Sequence, residues 1–247
     1  MQSQLKNNNF LLYSFGFLKS LHFFGSLSIP FYLDRLEMSY TWMFVIETIF
    51  SVFLFLFEIP TGIVADKFGR KTSLVLGSGI FGFSFVILGI TRNITVLLFV
   101  QILGALGMSL ISGADKALIY ENAKYQNKTP QEISAIASRF DGFGTIGMLI
   151  AFPLGSIFVA SGIFNYTSSL GLVFIATGIS AVFASIILLS SSAGTEKVQD
   201  TKIQLKINRI IHLKLFIKFL TFYLNTYINE KTFHCAIHTL KSLLQTN

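Results

Sequence analysis

Charge is what this chain has least of. Asp, Glu, Lys and Arg make up 13% of its 247 residues, against roughly a quarter in a soluble domain, which excludes a globule solvated by water on every side. Cysteine is nearly absent too: Cys235 stands alone, so no disulfide can form within the chain. The signatures of enzyme chemistry are also missing. There is no nucleophile elbow, metal-ligand cluster or phosphate loop, and the glycines around Gly142 do not follow a strand as a dinucleotide fingerprint requires. No enzyme activity, catalytic residue, metal or cofactor is therefore expected. A net charge of +7 would suit a nucleic-acid binder, but the cations are spread between long apolar runs instead of gathered in a patch, so no nucleic-acid partner is expected.

What the chain does have is hydrocarbon: 52% of its residues are hydrophobic and 27 are phenylalanine. A bilayer core about 30 Å thick is crossed by about 20 apolar residues of helix. Six runs reach that length, at residues 10–33, 40–61, 72–91, 94–120, 133–160 and 166–190. They are continuous and lack the alternation of a membrane barrel, so the expected fold class is an all-α integral membrane protein with six transmembrane helices over residues 1–192. The first run is too long for a secretory signal and has no small-residue cleavage site. Short-loop cations set the orientation. Lys6, Lys67, Arg70, Lys71, Lys124, Lys128, Lys197, Lys202 and Lys206 fall on one side, and only Arg35 and Arg92 on the other. The amino terminus and the loop after the second run are therefore expected in the cytoplasm, in a multi-pass protein of the plasma membrane, with membrane lipids as its surroundings.

The densest charge lies directly after the second apolar run, in GIVADKFGRK. Gly62, Asp66, Lys67, Gly69, Arg70 and Lys71 fit the spacing G-x-x-x-D-[RK]-x-G-[RK]-[RK]. Gly62 would let the second and third helices approach, Gly69 would supply a positive φ, and Asp66 would accept hydrogen bonds from an arginine or a helix N-terminus. The pattern and its place resemble the signature loop of the major facilitator superfamily, and Phe57-Glu58-Ile59-Pro60-Thr61 resembles the entry to that loop in bacterial drug-efflux-like members. The resemblance implies one six-helix half of a two-half secondary transporter with its substrate held at mid-membrane, and a cytoplasmic gating role for the six loop residues.

Ionisable groups inside spans are costly and so mark candidate sites. Lys19, His22 and Ser26 share one helical stripe of the first run, and Glu47, Ser51, Leu54 and Glu58 share one of the second. Glu47 is the best candidate for proton coupling or for binding a cationic substrate, with a structural pair to Lys19 as the competing reading. Lys19, His22, Glu47 and Gln101 form the expected substrate or coupling set. Glu58, Asp115, Lys116, Arg139 and Asp141 form an expected cytoplasmic charge network, in which Asp115 and Arg139 are natural partners. Gly104, Gly107, Gly142, Gly144 and Gly147 suit close helix packing.

Two departures stand beside the resemblance. Drug–proton antiporters of the superfamily usually carry an arginine before a glycine pair in the fourth span, where this chain has Val100 and Gln101. Phe152-Pro153-Leu154-Gly155 is a partial echo of the glycine–proline signature of the fifth span. Members of the superfamily have about twelve spans. After Gly194 every glycine and proline is gone, while Cys235 and three of the four histidines remain to come. Residues 193–247 are expected to be a linker and a basic tail: an interfacial helix, a vestigial seventh span, or a frameshifted remnant of a second half. The expected function is secondary transport of a small molecule, leaning to efflux of drug-like compounds and to proton coupling, in a truncated carrier completed by a homodimer or a second-half partner. The alternative is a non-transporting membrane fragment, or a regulatory half that associates with a full-length relative.

Overall fold

The computed structural model of the chain describes residues 2–191. The boundary expected at residue 193 and the basic tail beyond it lie outside the described residues. Helix α1 covers Gln2–Lys19, α2 is a single turn at Ser28–Pro30, and a π-helical turn follows at Phe31–Arg35. The long helices are α3 (Tyr40–Phe68), α4 (Arg70–Ile90) and α5 (Ile94–Ser112), then the shorter α6 (Asp115–Tyr125), then α7 (Pro130–Ala160) and α8 (Tyr166–Ser190). No strand occurs among the described residues.

Local chemistry explains where the helices start. Ser39 accepts from the Trp42 N–H at 3.4 Å to open α3, and Asn93 accepts from the Thr95 N–H at 2.8 Å to open α5. Thr129 and Glu132 form a reciprocal capping box ahead of α7, with Pro130 in the first turn, where its missing N–H costs nothing. The central helix is α4, which packs against α5 on one side and α8 on the other; α3 leans on α5, and α1 lies against α7 and α8.

Five helical stretches are long and apolar enough to cross a membrane: Tyr40–Phe68, Arg70–Ile90, Ile94–Lys124, Pro130–Ala160 and Tyr166–Ser190. The first apolar run differs from expectation, because its helix stops at Lys19 and the chain runs through turns until Ser28. Ser20, Gly25, Ser26 and Pro30 favour turns over a continuous helix, and the freed Phe23 N–H finds the Thr177 hydroxyl of α8 at 3.0 Å. The stripe expected from Lys19 through His22 to Ser26 therefore does not exist. The fourth run is also divided, at Gly113–Ala114 between α5 and α6.

The charged loop of the second run shrinks to one residue. Asp66 and Lys67 are the last turn of α3, and Arg70 already begins α4, which leaves Gly69 alone between them at φ 94° and ψ 144°. Pro60 sits inside α3 without ending it; the adjacent Thr61 hydroxyl lies 2.7 Å from the Phe57 carbonyl and 2.8 Å from the Ser109 hydroxyl of α5.

Close helix approach falls at some of the glycines expected and not at others. A side chain at Gly62 or Gly142 would meet nothing within 4 Å, so neither is a packing glycine, and at Gly104 the nearest atom is 3.6 Å away. Gly107 does pack closely, opposite Gly77, while Gly144 and Gly147 lie against α1. A further close seam runs between α4 and α8, where Gly82 faces the Gly178 carbonyl and Gly89 faces the Gly171 carbonyl.

Candidate functional site

Where the broken first segment faces α3, α4 and α5, the helices leave a cavity of about 230 Å³. Its wall is largely aromatic, with Phe24, Phe50, Phe81, Phe85 and Phe174, and its polar groups are His22, Ser28, Tyr32, Glu47 and Gln101. Phe24 lies 4.8 Å from Phe174 and 5.0 Å from Phe85, ring centre to ring centre, so the wall is a connected aromatic cluster. His22 stands at its edge, 5.6 Å from Phe24 and 6.1 Å from Phe81.

The polar groups form a chain. The Gln101 amide donates to the Tyr32 hydroxyl at 2.7 Å, and that hydroxyl donates to the Glu47 carboxylate at 3.0 Å. Gln101 and Tyr32 are buried, whereas Glu47 is exposed toward the cavity side of α3. One acid on an aromatic wall presents negative charge and π-faces together, the combination that attracts an organic cation.

Of the four residues expected to couple or to bind substrate, His22, Glu47 and Gln101 line this cavity. Lys19 does not. Its ammonium reaches Asp115 at 2.8 Å and lies over the Phe140 ring at 5.0 Å, tying α1 to α6 and α7. The expected alternative of a Lys19–Glu47 pair is thus overturned, and so is the Asp115–Arg139 pair, since Arg139 points into the open and has no ion pair among the described residues. Lys116 pairs with Asp141 instead. Glu58 is exposed and likewise forms no ion pair among the described residues, so it does not join that network.

The expected gating residues meet at one end of the bundle. Arg70 joins Asp66, at 3.3 Å, to Glu121 of α6, at 2.5 Å. Lys71 donates to the Leu189 carbonyl at 3.1 Å and to that of Ser191, which closes the last turn of α8 and places a cation where the helix dipole is negative. Lys67 makes no ion pair among the described residues and lies 5.5 Å from the Phe68 ring.

The opposite end is held by Arg35, which served above only to orient the chain, and by Asp34 and Tyr166. Arg35 donates to the Gly89 carbonyl at the end of α4 and to the Thr167 carbonyl at the start of α8, both at 2.6 Å. Beside it the Tyr166 hydroxyl donates to Asp34 at 2.8 Å. Tyr32, Asp34, Arg35 and Glu121 were all missed. For Tyr32 the signal was weak, one hydroxyl beside those of Tyr13 and the serines of the same run; for the others, contact depends on the break in the first segment and on α6, neither of which periodicity reveals.

No curated protein matches the chain. A family model described as Major Facilitator Superfamily matches residues 6–238, which takes in every helix from α3 to α8, the Gly69 turn and part of the tail. The chain belongs to the major facilitator superfamily.

Proposed function

We propose that this protein is a secondary transporter in which the aromatic cavity holds a small organic cation, with Glu47 as its counter-charge and as the proton-coupling group. The observation that carries the reading is the placement of one carboxylate, already hydrogen-bonded through Tyr32 to Gln101, on a wall of five phenylalanines. A single carboxylate is neutralised either by a proton or by a bound cation, so one group holds one or the other. That exclusivity supports efflux driven by proton entry. The Gly69 end is proposed to face the cytoplasm of a plasma-membrane protein, as the distribution of cations predicts, and the first segment to make the sixth crossing despite its break.

Only 11% of the most apolar stretch of α3 is buried, although Phe44, Val52, Leu56, Ile59 and Ile63 are all exposed along it. A second helical bundle, from another copy of the chain or from a separate polypeptide, fits there as the other half of the carrier. The test is uptake of tetraphenylphosphonium into proteoliposomes under an imposed pH gradient. Gradient-dependent flux is expected for the wild type and a loss of tenfold or more, about 1.4 kcal/mol of transition-state stabilisation or greater, for Glu47→Gln. Flux that is unchanged by this substitution removes Glu47 from the mechanism, and no flux in any orientation or with any candidate partner half removes the transport reading.

A further inference from the structure

The π-helical turn Phe31–Arg35 joins the cavity to the far end of the bundle within four residues. Tyr32 contributes the hydroxyl that donates to Glu47 and accepts from Gln101. Two and three positions on, Asp34 takes the Tyr166 hydroxyl, and Arg35 grips the Gly89 and Thr167 carbonyls. The turn is wound with a Leu36 N–H to Phe31 carbonyl bond of 3.2 Å and a Met38 N–H to Tyr32 carbonyl bond of 3.0 Å. Such wide turns carry an extra residue and can relax to an ordinary α-turn, which rotates the side chains beyond them.

From this juxtaposition we infer that Tyr32 is a positioning residue that conveys the charge state of Glu47 to the Asp34–Tyr166 and Arg35 contacts. The inference rests on the reading of Glu47 as the coupling group. A phenol donating to an ionised carboxylate makes a charge-assisted bond, roughly twice as strong as a neutral one. Neutralising Glu47, by a proton or by a bound cation, weakens that bond while the Gln101 bond stays. The ring is buried at 2% exposure, so it has no water to turn to, and the change is taken up by the backbone of the turn. The groups facing Glu47 are Tyr32 from the π-helical turn, His22 from the turn before it and Gln101 from α5. Besides the Tyr32 phenol, His22 is the one other ionisable side chain among the residues that line the cavity.

The experiment uses the full chain in lipid nanodiscs with Cys235→Ser, carrying nitroxide labels at Glu37→Cys and Ile163→Cys. Both positions are exposed, and they flank the two sides of the Arg35 contact. Pulsed electron resonance reads the distance between the labels, and infrared difference spectra read the carboxylic-acid band of Glu47. Lowering the pH, or adding tetraphenylphosphonium, is expected to shift the distance in the wild type, and Glu47→Gln to hold it at the shifted value throughout. In Tyr32→Phe the carboxylic-acid band is expected to persist while the distance no longer responds. Gln101→Leu keeps the phenol but frees its anchor, and is expected to reduce the response; it carries the test should Tyr32→Phe fail to fold. A response in Tyr32→Phe equal to that of the wild type overturns the inference. So does an unresponsive wild type that still transports, whereas a wild type without flux in the proteoliposome assay counts against the transport reading itself.

Discussion

At the scale of single residues, the two signature glycines have opposite consequences. Gly69 holds φ 94° with only the Thr72 hydroxyl near a would-be side chain, at 4.0 Å. Gly69→Ala should therefore cost about 1–3 kcal/mol through backbone strain alone. Gly62 lies within α3 with open space around it, so Gly62→Ala should be neutral or stabilise by up to about 1 kcal/mol through helix propensity. Thermal unfolding in detergent, run on both variants side by side, separates the two. Lys19→Ala leaves Asp115 without its cation at a site where the two side chains are 17% and 12% exposed. A loss of about 2 kcal/mol is expected, between the values for surface and buried pairs, and Lys19→Met with Asp115→Leu should recover most of it in the same melt. The sequence revealed Glu47 and Gln101 because a polar group in an apolar run announces itself by composition. Which partner each group takes was hidden, since Lys19 had several acids within reach on paper and only the folded chain selects Asp115.

At the scale of helices, the sequence showed five crossings well and their ends poorly. Asp66 and Lys67 read as loop because charge in a membrane protein is taken to mark its boundary, yet nothing between Thr61 and Phe68 stops a helix, and α3 simply continues to Phe68. The break in the first segment was masked in the opposite way: turn-forming residues there are diluted among phenylalanines, so hydropathy stays high while helix continuity fails. The α4–α8 seam was missed because Gly82, Gly89, Gly171 and Gly178 are spaced by seven, a pattern that gains meaning only when the two helices are known to run side by side. Gly82→Val would push a methyl into the Gly178 carbonyl, 2.5 Å from where a Cβ would stand. It should reduce folded yield in membranes severely, a loss of more than about 3 kcal/mol, as measured by detergent-resistant fluorescence of a fused reporter. Gly79→Val, where the nearest atom to a Cβ is 3.7 Å away, should be far milder in the same measurement.

At the scale of the whole molecule, membership of the superfamily and the helical class were both legible from GIVADKFGRK and the apolar runs, because each rests on residues close together in sequence. Orientation is the next quantity to measure. Phe68→Cys in a Cys235→Ser background sits at the exposed end of α3. An impermeant maleimide should leave it unmodified in intact cells and label it in inverted vesicles; labelling from outside would reverse the proposed topology.

The single-residue joint at Gly69 makes α3 a lever arm. Glu47 stands 22 residues from that joint, about 33 Å along the helix. A swing of only about 10° there carries its carboxylate roughly 6 Å sideways by that length, twice the span of its bond to Tyr32. A small torsion at Gly69 would thereby be geared up into withdrawal of the acid from the aromatic wall.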